Sequence, residues 1–380
     1  MSDSEQVSDS EQVSDAHQMS DAVAFIVPDP AGTPSGGHTY NDRILRGWEA
    51  AGHPSRVVTV AGSWPHPDEA ARAALAEALH AHPVTLVDGL IGACCPQQIQ
   101  DAVTAGHRVV LLVHLPLADE TGLRPNQARD LEGLERWAAH SASAVLATSK
   151  TAAADLQRRH DLPHVAAVPP GAQAGPIAPG SLAETGVPRI GVLASVTPRK
   201  NQSGLVEALA LLAHRDWTAE FVGPQPDAAY ADAVRRRIAD LGLGDRISLP
   251  GVLDAECLEG RWAGIDLMVL PSLHETFGLV VTEALAHGIP AVVSRGTGAV
   301  EALTGTPCAG GDPVDPPGAV VDPRSTPEMA AVLGAWLDDA AVRTAWRDRA
   351  LARRDALRPW SEPAEELWAL IMGEPSGDRR

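Results

Sequence analysis

Two carboxylates eight positions apart, Glu275 and Glu283, lie in the segment 274–290. The residues around them decide what they can do. An apolar run over 265–270 comes just before the segment, and another over 289–293 closes it. That pattern predicts a strand delivering Glu275 into a loop, then a helix whose first turns carry Glu283. A helix N-terminus presents N–H groups without intrahelical partners at the positive end of the helix dipole, so it holds anions, typically phosphate. A carboxylate beside such a site is suited to accept hydrogen bonds from hydroxyls, as on a sugar or a ribose. The plainer alternative makes Glu275 a helix-capping acid and Glu283 a solvated one. Glu283, however, is set among Val280, Val281, Ala284 and Leu285, an odd place for an acid that serves only water.

These residues need elements to position them, and the chain supplies two series. From residue 22 onward, short apolar runs over 23–27, 57–60, 84–87, 109–113, 145–147 and 165–168 suit buried parallel strands. Amphipathic stretches such as 39–51 and 68–81 separate them, and Gly52 closes the first as a C-cap. Residues 169–188 then hold Pro169, Pro170, Gly171, Gly175, Pro176, Pro179, Gly180, Gly186 and Pro188, the composition of a linker. A second series follows, with runs over 190–196, 219–222, 247–249, 267–270, 291–293 and 319–321. The expectation is an α/β chain with two Rossmann-like, doubly wound parallel-sheet domains facing a cleft, ligands sitting at the carboxyl ends of the strands. The boundaries read as an acidic tail over 1–21, a first domain over 22–172, a linker over 173–188 and a second domain over 189–358. A last helical stretch over 359–380 is expected to pack back across the first domain.

Bulk properties exclude several classes. The 380 residues favour two domains, and 44% apolar residues are enough for real cores. The net charge is −19, and removing Asp3, Glu5, Asp9, Glu11, Asp15 and Asp21 of the tail leaves −13. A body this acidic argues against nucleic acid and against an anionic membrane surface. No run of 18 apolar residues suggests a membrane span, and the N-terminus lacks the pattern of a secretory signal. The tail repeats Ser-Asp-Ser-Glu-Gln-Val from Ser2 and again from Ser8, without hydrophobic period, and is expected to be disordered. Cys94, Cys95, Cys257 and Cys308 show no C-x-x-C spacing, which points to structural thiols in a reducing cytosol and a cytoplasmic protein.

The segments together resemble the retaining glycosyltransferases of family 4, which adopt the GT-B arrangement. The resemblance covers about 22–370. It rests first on the E-x7-E setting: an apolar strand, Pro271-Ser272, Glu275, Phe277-Gly278, Glu283-Ala284-Leu285, then Gly288-Ile289-Pro290. Four further segments agree in order: Pro34-Ser35-Gly36-Gly37, His114-Leu115-Pro116, Pro170-Gly171, and the run from Ser195 to Lys200. The resemblance implies that Glu283 holds a ribose and Glu275 the hydroxyls of a donor sugar. Phe277, Gly278 and Leu279 line the donor site, the last two offering amides to a phosphate. Lys200 would neutralise the diphosphate, the main electrostatic demand of the reaction. His114 would stand against the donor sugar, and Gly36 and Gly37 would leave the backbone bare for close approach. Asp119 and Glu120 are candidates for acceptor hydroxyls. His114, Glu275 and Lys200 are thus the candidate catalytic residues. The family's arginine five residues before the lysine is Ser195 here. Arg199, next to Lys200, is either the second cation or a surface residue.

The implied activity is retaining transfer of a sugar from a UDP- or GDP-linked donor to a small soluble acceptor. No Asp-x-Asp pair occurs in the chain, which favours a metal-independent reaction with no cofactor beyond the nucleotide sugar. Two alternatives share the fold: a nucleotide-sugar 2-epimerase, and a non-catalytic sugar-nucleotide-binding protein, which the Ser195 departure keeps open.

Overall fold

The computed structural model describes residues 23–29, 35–306 and 315–373; the expected acidic tail, Pro34 and Cys308 lie outside them. The described residues fall into two compact units. Of the described residues, one takes those up to Thr148, Ala153–Pro169 and those from Trp360 on, the other Ser149–Ala152 and those between Pro170 and Pro359.

The first unit is built on six parallel strands: β1 (Val23–Pro28), β2 (Ser55–Val60), β3 (Val84–Asp88), β4 (Arg108–Val113), β5 (Ala144–Ala147) and β6 (Ala166–Ala167), in the order β2-β1-β3-β4-β5-β6. β1 and β4 are apolar almost throughout and almost wholly buried, as strands covered on both faces must be. β2 is the edge strand and is largely exposed. The helix Gly36–Ala51 starts where the Ser35 hydroxyl accepts the His38 N–H at 3.2 Å, and it stops at Gly52, whose φ of 74° suits only a residue without a Cβ. Its buried residues Tyr40, Asn41, Ile44 and Trp48 recur at helical spacing and define one face. The C-terminal helix Ser361–Met372 packs on it through Ala364, Leu367 and Ile371, and Trp48 Nε1 donates to the Ala364 carbonyl at 2.8 Å.

The second unit has β7 (Arg189–Leu193), β8 (Thr218–Val222), β9 (Ile247–Gly251), β10 (Leu267–Leu270), β11 (Ala291–Ser294) and β12 (Gly318–Val321), all parallel, in the order β12-β11-β10-β7-β8-β9. One cluster gathers Val206, Leu209, Phe221 and Trp336, and a second gathers Met268, Phe277, Val281, Leu285 and Val293. The segment expected as a linker, 173–188, is instead a fixed part of this unit. Ala178 donates to the His287 carbonyl at 2.9 Å, Gly180 to that of Ala263 at 3.0 Å, and the Ser181 hydroxyl to Asp266 at 2.6 Å. Its prolines and glycines set a turning path across the surface of the unit; they do not make it a loose tether. Ala172 is bonded to the Arg358 carbonyl at 2.8 Å, so the two points where the chain enters and leaves this unit are paired.

Each sheet has a place where strand order reverses, and in doubly wound sheets the ligand crevice opens there, at the carboxyl ends of the strands. In the first sheet it lies between β1 and β3, in the second between β7 and β10. The segments that follow these strands carry most of the chemistry predicted above.

Candidate active site

In the second unit, β7 leads into a single 3₁₀ turn, Pro198–Lys200, and β10 leads into the loop 271–278. The two are fastened to each other: Leu273 N–H donates to the Arg199 carbonyl at 2.7 Å, and Arg199 Nη1 donates to the His274 carbonyl at 3.2 Å. This stitching brings Lys200 Nζ to 2.5 Å from Glu275 Oε2, and the Ser272 hydroxyl donates to the same oxygen at 3.2 Å. The Lys200 and Glu275 side chains are only 14% and 9% exposed. Glu275 is therefore one half of a nearly buried ion pair, not a helix-capping acid.

The electrostatics follow from that burial. For Glu275 desolvation is the largest influence and favours the neutral acid. The Lys200 charge, then that of Arg199, and the hydrogen bonds from Lys200 and Ser272 outweigh it and hold the carboxyl below its ordinary range. For Lys200 burial is again the largest influence and, with repulsion from Arg199, it pulls the ammonium below the usual lysine range against the pull of Glu275. Three buried polar atoms beside the pair have no hydrogen-bond partner: Thr197 Oγ1, Arg199 Nε and Gln202 Oε1. Such atoms cost about 1–3 kcal/mol each unless a ligand or water meets them.

The loop ends at Gly278, the N-cap of the helix Leu279–Ala286, with φ of 87°. The Gly278 and Leu279 amides precede the first bond of this helix, which Val281 N–H makes to the Gly278 carbonyl at 2.9 Å. Glu283 lies in the second turn and is exposed although Val281, Thr282, Ala284 and Leu285 around it are buried. Phe277 is 6% exposed and packs in the core, so that residue can offer a ligand only its backbone. Leu279 is half-buried. Three residues support the loop; Gly298 and Ser149 carry no local signal in the sequence, and Ser272 belongs to the motif quoted above. Gly298 donates its N–H to the Glu275 carbonyl at 2.8 Å, and a Cβ there would sit 1.9 Å from the Thr276 oxygen. Ser149 is fully buried and its hydroxyl donates to the Thr276 carbonyl at 2.5 Å. Ser272 is the third.

In the first unit, His114 follows β4, and its ring lies against the start of the helix Gly36–Ala51. A Cβ on Gly37 would come within 3.2 Å of His114 Cδ2, which is the physical reason for a glycine there; Gly36, beside it, is exposed. Tyr40 meets the imidazole edge-on at 5.2 Å between ring centres. Two unforeseen residues complete the group. Asn41 Oδ1 is 2.8 Å from His114 Nε2, and Asn41 Nδ2 donates to Asp88 Oδ2 at 2.7 Å. Burial is the largest influence on His114 and lowers its pKa. The Asp88 charge opposes this, and nearby His38 adds to the lowering. The balance favours the neutral imidazole.

The two residues proposed for acceptor hydroxyls are placed differently. Both carboxylate oxygens of Asp119 accept from Arg159, at 3.0 and 3.1 Å, which ties down the turn after His114. Glu135, 1% exposed, holds the same turn by accepting the Leu117 N–H at 3.1 Å while also pairing with buried His160 at 2.8 Å. Asp119 thus has a structural task, whereas Glu120 closes the turn and is half-buried. Among the described residues no group of three or more His, Cys, Asp or Glu side chains could hold a metal ion, and no helix is long and apolar enough to cross a membrane.

Comparison with known proteins bears on this geometry. Residues 178–353 match the family described as glycosyl transferases group 1. The chain is 30% identical over 223 residues to the 2-deoxystreptamine glucosyltransferase of Streptomyces kanamyceticus, covering 55% of this chain and 54% of that protein. It is 29% identical over 238 residues to the D-inositol 3-phosphate glycosyltransferase of Arthrobacter sp. strain FB24, covering 59% and 54%. It spans about half the length of these curated relatives. Among solved structures, sucrose-phosphate synthase of Thermosynechococcus elongatus has the same fold, with a TM-score of 0.74 at 20% identity over 93% of this chain and 98% of that one. Anabaena Alr3699/HepE in complex with UDP-glucose gives a TM-score of 0.71 at 18% identity over 93% and 99%. The fold is GT-B.

Proposed function

With a glycosyltransferase group 1 domain over residues 178–353 as the premise, we propose that the chain moves a glycosyl group from a nucleoside diphosphate sugar to a small, soluble, polyhydroxylated acceptor. Transfer proceeds with retention at the anomeric carbon and without a metal ion or other cofactor, in the cytoplasm. The observation that carries this reading is the Lys200–Glu275 pair at the β7/β10 switch point, beside the N-terminus of the helix Leu279–Ala286.

The donor's diphosphate lies against the amides of Gly278 and Leu279, and Lys200 supplies the cation that meets the charge growing on it as the glycosidic bond breaks. Arg199, whose Nε is buried without a partner, supplies a further donor to the same phosphates. Glu275 accepts from sugar hydroxyls and exposed Glu283 from the ribose. His114, in the first unit, meets a donor hydroxyl as a neutral imidazole. The acceptor hydroxyl attacks from the face the diphosphate leaves; its proton passes to the departing phosphate oxygen, so the leaving group acts as the base. Glu120 stays a candidate for acceptor contact, and Asp119 does not, because its oxygens are engaged by Arg159.

The donor is UDP- or GDP-linked. UDP-glucose in the Anabaena structure makes it the first probe, and GDP-mannose, named for a mannosyltransferase relative, the second. Cyclitols in the names of two relatives support a small soluble acceptor. The test is thermal shift against nucleotide sugars, since a ligand bound only by the folded state stabilises by mass action, followed by release of nucleoside diphosphate across a cyclitol panel. A stabilising donor that is released as nucleoside diphosphate only with acceptor supports the proposal. An epimerised sugar nucleotide formed without acceptor, or binding with no turnover, overturns it.

A further inference from the structure

Asn41 and Asp88 are both 4% exposed and sit behind His114 at the β1/β3 end of the first sheet. A buried polar chain of this kind admits few proton arrangements, and here the order can be worked out from one end. Asp88 closes β3 and caps the short helix Gly89–Gly92, its Oδ1 accepting the Leu90 N–H at 2.9 Å. Its other oxygen, Oδ2, is 2.7 Å from the Asn41 amide. A carboxylate only accepts, so Asn41 must turn its NH₂ toward Asp88. Asn41 Oδ1 is then the atom facing His114 Nε2 at 2.8 Å, and an amide oxygen only accepts as well. The proton of the neutral ring is therefore on Nε2, and the negative Asp88 Oδ2, 3.6 Å away and beyond hydrogen-bond range, favours the proton on that side.

We infer that Asn41 and Asp88 are positioning residues for His114, fixing its neutral imidazole in the Nε2–H tautomer so that Nδ1 is the ring's acceptor. This rests on the reading that His114 meets a donor hydroxyl. The alternative tautomer would set a lone pair against the Asn41 oxygen, with the Asp88 charge close behind, and lose a buried hydrogen bond, a population penalty on the order of 10- to 100-fold. The ring is otherwise confined by Tyr40 and by the backbone at Gly37. Among the described residues, Asp88 on β3 and His38 on the helix Gly36–Ala51 bear on it electrostatically.

The same geometry makes an unusual demand on Asp88→Asn. The new side chain must keep its oxygen on the Leu90 N–H, so its NH₂ faces Asn41. Asn41 then reverses and points its own NH₂ at His114, and the ring must present a lone pair at Nε2 and carry its proton on Nδ1. Long-range ¹H–¹⁵N spectra of ¹⁵N-histidine-labelled full-length protein read this directly. The wild type should show Nε2–H, Asp88→Asn the inverted Nδ1–H form, and Asn41→Leu a mixture. Release of nucleoside diphosphate by Asp88→Asn should fall on the order of 100-fold or more in kcat, by the cost of a histidine held in the wrong tautomer. A wild-type ring protonated on Nδ1, or an Asp88→Asn ring still protonated on Nε2, overturns the inference even where the wild type turns over normally. A wild type that turns over no nucleotide sugar overturns the functional reading instead, and the spectra still decide the tautomer.

Discussion

Removing Lys200 tests the stability and chemistry of the second unit together. Its ammonium and the Glu275 carboxylate are 2.5 Å apart with side chains only 14% and 9% exposed. Lys200→Met keeps the stem of the side chain and deletes the charge, leaving a buried carboxylate with Ser272 and the neighbouring Arg199 for support. Breaking one side of a buried pair costs about 3–5 kcal/mol, because the surviving charge is stranded; replacing both partners with apolar groups costs little or even stabilises. For a unit of this size that corresponds to a drop in melting temperature of roughly 6–20 °C. Adding Glu275→Met to Lys200→Met should restore most of it. Activity should not follow: loss of a fixed charge that stabilises a leaving group costs on the order of 100- to 1000-fold in kcat, and the double variant also loses the sugar contact. Scanning calorimetry on the four proteins of the cycle, with nucleoside diphosphate release in parallel, gives both readouts. Lys200→Met melting within about 1 °C of wild type would refute the buried-pair argument, and full turnover by it would refute the phosphate role.

Three further outcomes are expected. Gly298→Ala places a methyl group 1.9 Å from the Thr276 oxygen and 2.9 Å from the Phe277 nitrogen, so the loop carrying Glu275 must shift; overpacking of this kind costs about 1–3 kcal/mol, and isothermal titration should show weakened donor binding. Arg159→Ala removes the guanidinium that binds both oxygens of Asp119, a side chain only 14% exposed, and should destabilise the first unit by about 1–3 kcal/mol in urea melts while leaving donor affinity unchanged. The lowered pKa of Glu275 contributes stability that is complete above the unfolded carboxylate value and is lost as pH falls through the lower folded one. Wild type should therefore gain stability as pH rises from the lowered folded value to the ordinary carboxylate value, and Lys200→Met, which lacks the main lowering charge, should gain less.

The fold was legible because parallel strands buried on both faces must be runs of apolar residues. The expected runs over 267–270 and 84–87 meet the observed β10 (Leu267–Leu270) and β3 (Val84–Asp88) almost residue for residue. Composition misled at 173–188, since proline and glycine mark a chain that turns, and whether it turns in solvent or against a surface depends on partners such as His287 and Asp266 far away in sequence. In the site, residues that share a motif could be read: Lys200, Glu275 and Glu283 stand in recognisable local settings. Asn41, Asp88 and Gly298 could not, because each acts on a residue more than twenty positions away and has no local pattern of its own. Asp119 was misleading for the converse reason. An acid in a loop looks free until the arginine 40 positions on that binds both of its oxygens is placed beside it.

The same reasoning bears on the Ser195 position, where the family resemblance leads one to expect an arginine. Ser195 contributes its carbonyl, which accepts from Gln202 Nε2 at 2.9 Å, and no cation. Under the proposed function Arg199 offsets that loss in part. Its carbonyl and one guanidinium nitrogen bind the loop of Glu275, its charge lowers the pKa of both Lys200 and Glu275, and its Nε remains buried without a partner. A guanidinium used only as a brace would gain nothing from an unsatisfied buried N–H, which costs about 1–3 kcal/mol. A phosphate oxygen is a partner that removes this cost, and the gain is available only when donor is bound. Arg199→Lys keeps the charge but not the fork, so it should weaken donor binding on the order of 10-fold. Arg199→Ala should lose both donor affinity and the anchoring of the Glu275 loop. Equal donor dissociation constants for wild type and Arg199→Lys would reduce Arg199 to a brace and leave Lys200 as the cation on which the reaction depends.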